Sequence, residues 1–180
     1  MWRINDAEKE TRSRQIAEYL EKRFFKNKDL SAVQLSIAEA FYNVFDHADA
    51  DGNAWSYMVF DQAKQKLYVA ICDFGVGIAK KVRDHLPTIT NDADAIEKAM
   101  EERFTTQSKE YNGGRGLGSI QFACTDDDVL RIVSNSGLLF IKCETIRKYV
   151  HNFRLPGTLI YYELSLQHFG DKEIMDTFEL

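Results

Sequence analysis

The stretch WSYMVFDQAKQKLYVAICDFGVGI, residues 55–78, holds two alternating runs and a double glycine break, and the fold follows from its reading. Trp55, Tyr57 and Val59 alternate with smaller or more polar residues, which predicts a strand to about Phe60. Asp61–Lys66 is polar and reads as a hairpin turn. Leu67, Val69 and Ile71 alternate again, so a second strand ends near Asp73, where Gly75 and Gly77 break it.

Upstream the period changes to that of helices. Asp6–Lys26 reads as a charged helix with apolar positions at Ile16, Tyr19, Leu20 and Phe24. Asp29 or Ser31 can cap a second helix running to about Ala50, with a stripe at Leu30, Val33, Ile37, Phe41, Val44 and Ala48 spaced for packing on a core. Downstream, Lys80–Gly118 is polar, contains Pro87 and a helical stretch near Ala93–Arg103, and reads as a binding loop or lid. A helix is expected over Leu117–Cys124, then strands over Val129–Ser134, Leu138–Cys143 and Thr158–Leu166, with a hairpin turn at Asn135–Gly137. This order predicts an α+β two-layer sandwich with helices on one face of a mostly antiparallel sheet.

The 180 residues suit one domain large enough to bury a substantial core. A net charge of −5 without any dense Lys/Arg block argues against direct nucleic-acid contact. The longest apolar run, Leu67–Cys72, is too short to span a membrane, and the N-terminus is too charged for a signal peptide. Cys72, Cys124 and Cys143 are odd in number and form no CxxC pair, so they read as reduced residues of a cytoplasmic protein.

Four places carry chemistry. Glu39, Asn43 and His47 stand four apart and form one helix column opposite Ile37, Val44 and Ala48. Such a column can be a solvated face. It can also place a carboxylate to activate water and an amide oxygen to ligate a metal ion. Asp73 shares a strand face with Leu67, Val69 and Ile71, where a carboxylate must be satisfied. Amides of Phe74–Gly77 could cap it past the strand end, or it could accept from an exocyclic amine at the bottom of a pocket, with Gly75 and Gly77 admitting a ring close to the backbone. Gly113-Gly114-Arg115-Gly116-Leu117-Gly118, directly before a helix, can converge backbone amides on phosphate. No Gly-Lys-Ser/Thr follows, so it is not a P-loop, and the polar Phe104–Asn112 ahead of it rules out the dinucleotide fingerprint. Pro156-Gly157-Thr158 is a turn into a strand, and its hydroxyl could reach the pocket of Asp73.

In order and spacing these elements resemble the four boxes of the histidine kinase, gyrase, heat-shock chaperone and mismatch-repair (GHKL) ATPase superfamily, over about Leu30–Leu166. The resemblance implies the Bergerat sandwich, ATP and Mg²⁺ as ligands, and a protein partner answering a nucleotide-controlled switch. It implies that Glu39 is the general base, Asn43 the Mg²⁺ ligand, and Asp73 the adenine N6 acceptor supported by Thr158 through water. Gly75, Gly77 and Ile78 would line the adenine pocket, His47 would lie near base or ribose, and Gly114, Arg115, Gly116, Leu117 and Gly118 would close over the phosphates. It divides the chain into an extension (residues 1–29), the ATP-binding domain (30–166, lid about 80–118) and a tail (167–180).

The box Glu39-Ala40-x-x-Asn43-x-x-x-His47 is most similar to that of anti-sigma serine kinases, whereas the Gly113–Gly118 box is more similar to those of sensor kinases and mismatch-repair ATPases. No histidine precedes the Glu39 helix to serve as the phospho-acceptor usual in sensor kinases. The lysine that gyrase-type relatives bring from a neighbouring domain is not expected here, so hydrolysis should be slow.

Overall fold

The structure is a computed structural model that describes residues 2–4, 8–43, 54–101, 126–143, 145–165 and 169–172. In chain order its elements are β1 (Trp2–Ile4), α1 (Lys9–Arg23), α2 (Ser31–Tyr42), β2 (Ala54–Asp61), β3 (Lys66–Asp73), α3 (Ile78–His85), α4 (Asp92–Met100), β4 (Val129–Lys142) and β5 (Thr145–Ser165). The strands form one sheet in the order β1-β2-β3-β5-β4, and every neighbouring pair is antiparallel. The fold is the α+β arrangement expected from the sequence.

The β2–β3 hairpin forms where its turn chemistry predicts. Asp61 Oδ1 accepts from the Ala63 and Lys64 amides, both at 3.0 Å, and Gln65 takes φ of 51°. Lys66–Asp73 then alternates strictly, with Leu67, Val69, Ile71 and Asp73 buried. The three apolar residues of that face form one core with Val33, Ile37, Ala40 and Phe41 of α2, Ala79 and Val82 of α3, and Ala95 and Ile96 of α4, so one face of the sheet carries the helices. On β2 it is Ala54 and Ser56 that are buried, while Tyr57 and Val59 are exposed. Tyr57 and Val59 thus face the open side, while Met58 and Phe60 pack against the core. Period-2 alternation shows that a strand has two faces; only its register, Phe60 opposite Leu67 and Ser56 opposite Ile71, assigns them.

α1 buries Ile16, Ala17 and Leu20, whereas Tyr19 and Phe24 stay at the rim. Phe24 and Phe25 meet Phe60, and Phe25 meets Phe169, which ties the chain after β5 to the helical layer. Asp29 Oδ1 accepts from the Ser31 amide at 2.8 Å and helps satisfy the start of α2.

Three expectations need correction. Ile78–Met100 forms two helices rather than a loop with one, and Ala79, Val82, Ala93 and Ile96 are buried in it. Polar residues outnumber apolar ones there, because only one narrow stripe of each short helix faces the core. The hairpin turn expected at Asn135–Gly137 is instead a bulge inside a continuous β4: Asn135 adopts φ of 53° and the register shifts between Ser134 and Gly137. A left-handed Asn with a Gly two residues on suits a bulge as well as a turn. The chain reverses instead near Cys143, with φ of 52°, and β5 starts at Thr145 rather than Thr158. β1 was not foreseen; three residues are too few to show a period. The helix expected over Leu117–Cys124, and the extension of α2 to Ala50, lie outside the described residues.

Candidate functional site

α2 packs against β3 on the helical side of the sheet. Glu39 and Asn43 occupy its last turn, both partly exposed, and the Asn43 Nδ2 donates to the Glu39 carbonyl at 2.8 Å. That bond uses the amide nitrogen and leaves the Asn43 Oδ1 as the group's acceptor. His47, next in the column, lies outside the described residues.

Asp73 closes β3 with only 2% of its surface exposed. Its Oδ1 accepts from the Gly75 amide at 2.8 Å, and the Thr158 amide also donates to the carboxylate. Burial pushes its pKa up to about 6, and these two amides partly oppose the shift. The carboxylate is therefore both capped by backbone, as one reading of the sequence had it, and held buried at a sheet end. The neighbouring Cys72 thiol is pushed up to about 11, by burial first and by the Asp73 charge second.

Two glycines make this packing possible. Gly157 has φ of 90°, and a β-carbon there would stand 2.2 Å from the Asp73 carbonyl oxygen and 2.6 Å from its Oδ1. Gly77 has φ of 82°, and its β-carbon would meet the Ser134 Oγ at 2.6 Å and the Gly157 carbonyl at 2.7 Å. Any other residue would be strained at either φ and would push the β3–α3 connection off β5.

The N-cap of α3 is Gly77, which has no side chain to cap the helix. Its exposed amides are taken instead by three side chains from the strands. Ile78 N donates to Thr158 Oγ1 (3.1 Å), Ala79 N to Ser134 Oγ (3.2 Å) and Lys80 N to Asn135 Oδ1 (3.2 Å). Ser134 in turn donates to the Gly157 carbonyl at 3.0 Å, and Asn135 Nδ2 to the Val76 carbonyl at 3.4 Å. The four orphan amides of a helix start normally find partners within their own segment. Here the sheet supplies partners for three of them, so the loop Phe74–Gly77 is pinned at both ends.

The structure thus brings Asp73, Gly75, Gly77, Ile78 and Thr158 together, and joins Glu39 to Asn43 on α2. Gly114, Arg115, Gly116, Leu117 and Gly118 lie outside the described residues. Sequence reasoning missed Ser134 and Asn135. Ser134 carries no signal on its own, and the left-handed propensity of Asn135 was assigned to a turn.

Among the described residues no group of three or more His, Cys, Asp or Glu side chains could hold a metal ion. Mg²⁺ keeps several waters and is commonly held by one or two protein groups plus substrate phosphates. The Asn43 Oδ1 fits that limited role.

Fold and site together define a two-layer α+β domain with a buried carboxylate and glycine bracket at one end of its sheet. The sequence matches the histidine kinase-like ATPase domain family over residues 5–129, and the chain belongs to that family. Membership implies ATP binding. The match covers the Glu39, Asp73 and Gly113–Gly118 boxes and ends at Val129, the first residue of β4, ahead of Thr158. No curated protein matches the chain. No helix among the described residues is long and apolar enough to cross a membrane.

Proposed function

We propose that this chain binds ATP with Mg²⁺ and hydrolyses it slowly, acting as a nucleotide-controlled switch toward a protein partner. The observation that carries the reading is the Asp73 carboxylate. It is buried at the end of β3 and oriented by the Gly75 and Thr158 amides, with the Gly157 backbone packed directly against it. An oriented acceptor of this kind suits the 6-amine of adenine, where guanine carries a carbonyl.

In this reading Asp73 accepts from the adenine amine, and Gly75, Gly77 and Ile78 flank the ring. Thr158 acts chiefly by holding the start of α3, since its hydroxyl already accepts from the Ile78 amide. Asn43 presents Oδ1 to Mg²⁺, and bound Mg²⁺ supplies charge neutralisation at the phosphates. Glu39 orients and deprotonates the attacking water, with His47 near the base or ribose. Gly114, Arg115, Gly116, Leu117 and Gly118 close over the phosphates. α3 and α4, which open the stretch of about 80–118 expected as a lid, belong to the core.

A protein hydroxyl can replace water as the acceptor. The Glu39-Ala40-x-x-Asn43 box favours this serine-kinase alternative. Incubation with radiolabelled ATP and candidate partner proteins separates the two, since label on protein marks a kinase and free phosphate alone an ATPase. A non-catalytic ATP-binding module would give neither.

The test of binding is isothermal titration with a non-hydrolysable ATP analogue, with and without Mg²⁺. Saturable binding strengthened by Mg²⁺ is expected. No heat of binding at millimolar nucleotide would refute the proposal.

A further inference from the structure

Of β5, only Leu159–Ser165 pairs with β3. Beyond that point β4 and β5 continue as a two-stranded arm, in which Gly137–Lys142 pairs with Thr145–Val150. The arm is fastened to α4. Ser136 N donates to the Asp92 Oδ2 at 2.9 Å, Lys148 Nζ bonds Asp94 and Glu97, both at 2.8 Å, and Gly137 lies against the backbone of Asp92 and Ala93. Its geometry is therefore held in advance, and an edge held in this way loses little freedom on pairing.

The outer edge of Thr145–Val150 faces no strand among the described residues. Next to it the register skips, and His151–Arg154 have no partner on β4. Apolar side chains stand exposed along this strip on both faces: Ile146 and Val150 on the side of Lys148, Tyr149 and Phe153 on the other. Val150 and Phe153 are each 62% exposed. An open edge of this kind is a template for another strand, and folded proteins usually shorten, charge or cover it. The charge present is of one sign. Residues 145–157 hold Arg147, Lys148 and Arg154 and no acidic residue, in a chain of net charge −5. Lys148 is engaged by α4, whereas Arg147 and Arg154 are exposed and form no ion pair with any described residue.

We propose that the β5 edge from Thr145 to Arg154 receives an extended, acidic segment of a protein partner as an added strand. The unpaired backbone edge selects peptide over nucleic acid, which has no complementary ladder of amides and carbonyls. The arginines select acidic side chains, and Ile146, Val150 and Tyr149 offer apolar contacts at strand spacing. Self-pairing of this strip between two copies would set the same arginine-rich surface against itself. The inference is independent of the nucleotide reading.

The test uses the full chain and a fluorescein-labelled peptide of alternating Glu and Val, followed by anisotropy. Saturable binding is expected, weakened roughly tenfold or more in the Arg147→Glu/Arg154→Glu variant. A peptide of alternating Lys and Val should bind at least about tenfold more weakly. Two N-methylated versions, blocking the amides of one peptide edge or the other, should differ: one loses binding and the other keeps it. Equal binding by both methylated peptides would reduce the contact to charge attraction and overturn strand addition. Displacement of the peptide by oligothymidylate would point to a polyanion site instead and likewise overturn it. So would sedimentation showing that the chain dimerises and that the charge reversal abolishes the dimer. Absence of any peptide binding also overturns the proposal.

Discussion

Gly157 and Asp73 are in direct backbone contact across the end of the sheet: a β-carbon on the glycine would lie 2.2 Å from the Asp73 carbonyl oxygen. The same glycine has φ of 90°. Gly157→Ala therefore combines a strained backbone with a steric collision. We expect a loss of roughly 2–4 kcal/mol in stability, read from urea unfolding at constant m-value. A loss below about 0.5 kcal/mol would show that the two strands separate easily there.

Asp73 should also govern the pH dependence of stability. Its pKa rises from 3.8 to about 6 on folding, chiefly through burial. Between these values the folded state binds more protons than the unfolded one, so stability falls as pH rises through the interval. A rise from 3.8 to about 6 corresponds to a destabilisation of order 3 kcal/mol, fully expressed well above pH 6 and absent below about pH 4. Asp73→Asn should flatten that part of the stability–pH profile measured by thermal melts. An unchanged profile would mean that the carboxylate titrates normally.

The same substitution tests recognition. An ionised carboxylate is the stronger hydrogen-bond acceptor, and the carboxamide of the variant could also turn a donor toward the ligand. Asp73→Asn should weaken an ATP analogue by roughly tenfold or more at pH 7.5 while the protein remains folded. In the parent protein, affinity should decline as pH falls through about 6. Titration calorimetry at several pH values reads both effects; equal affinity in parent and variant would remove Asp73 from the pocket.

Ser134 holds the Ala79 amide at 3.2 Å and donates to the Gly157 carbonyl at 3.0 Å, and it is fully buried. Ser134→Ala leaves both groups without that partner in the interior, which should cost about 1–3 kcal/mol. Amide hydrogen exchange at Ala79 should quicken more than exchange in β3. Asn135→Gly keeps the left-handed backbone but loses the bond to Lys80 N, so it should be milder than Asn135→Ala, which loses both. If Asn135→Ala proves the milder, the strain argument is wrong.

Glu39→Gln separates binding from turnover. A general base contributes about 10²–10⁴-fold, so phosphate release should fall by at least about a hundredfold with analogue affinity nearly unchanged. Turnover equal to that of the parent would refute the assignment.

Local chemistry was legible in the residues themselves. The Asp61 turn, the alternation of Lys66–Asp73, the stripe of α2 and the placement of Asp73 on a buried face all follow from short-range rules that hold wherever the chain goes. So did the α+β class, which depends on the order of periods rather than on their packing. The N-cap of α4, where Asn91 accepts from the Asp94 amide at 2.8 Å, is equally local.

Tertiary structure decided the rest, because those properties depend on partners far away in the chain. Nothing near Gly77 in sequence reveals that Ser134, Asn135 and Thr158 cap the helix that follows it. Whether Asn135-Ser136-Gly137 turns the chain or bulges a strand was settled by the packing of Gly137 on the backbone of α4, which leaves no room for a side chain. Which face of β2 is covered was settled by its register with β3. A residue's conformational preference is encoded in its own atoms, but its burial and its hydrogen-bond partners are properties of the assembled layers.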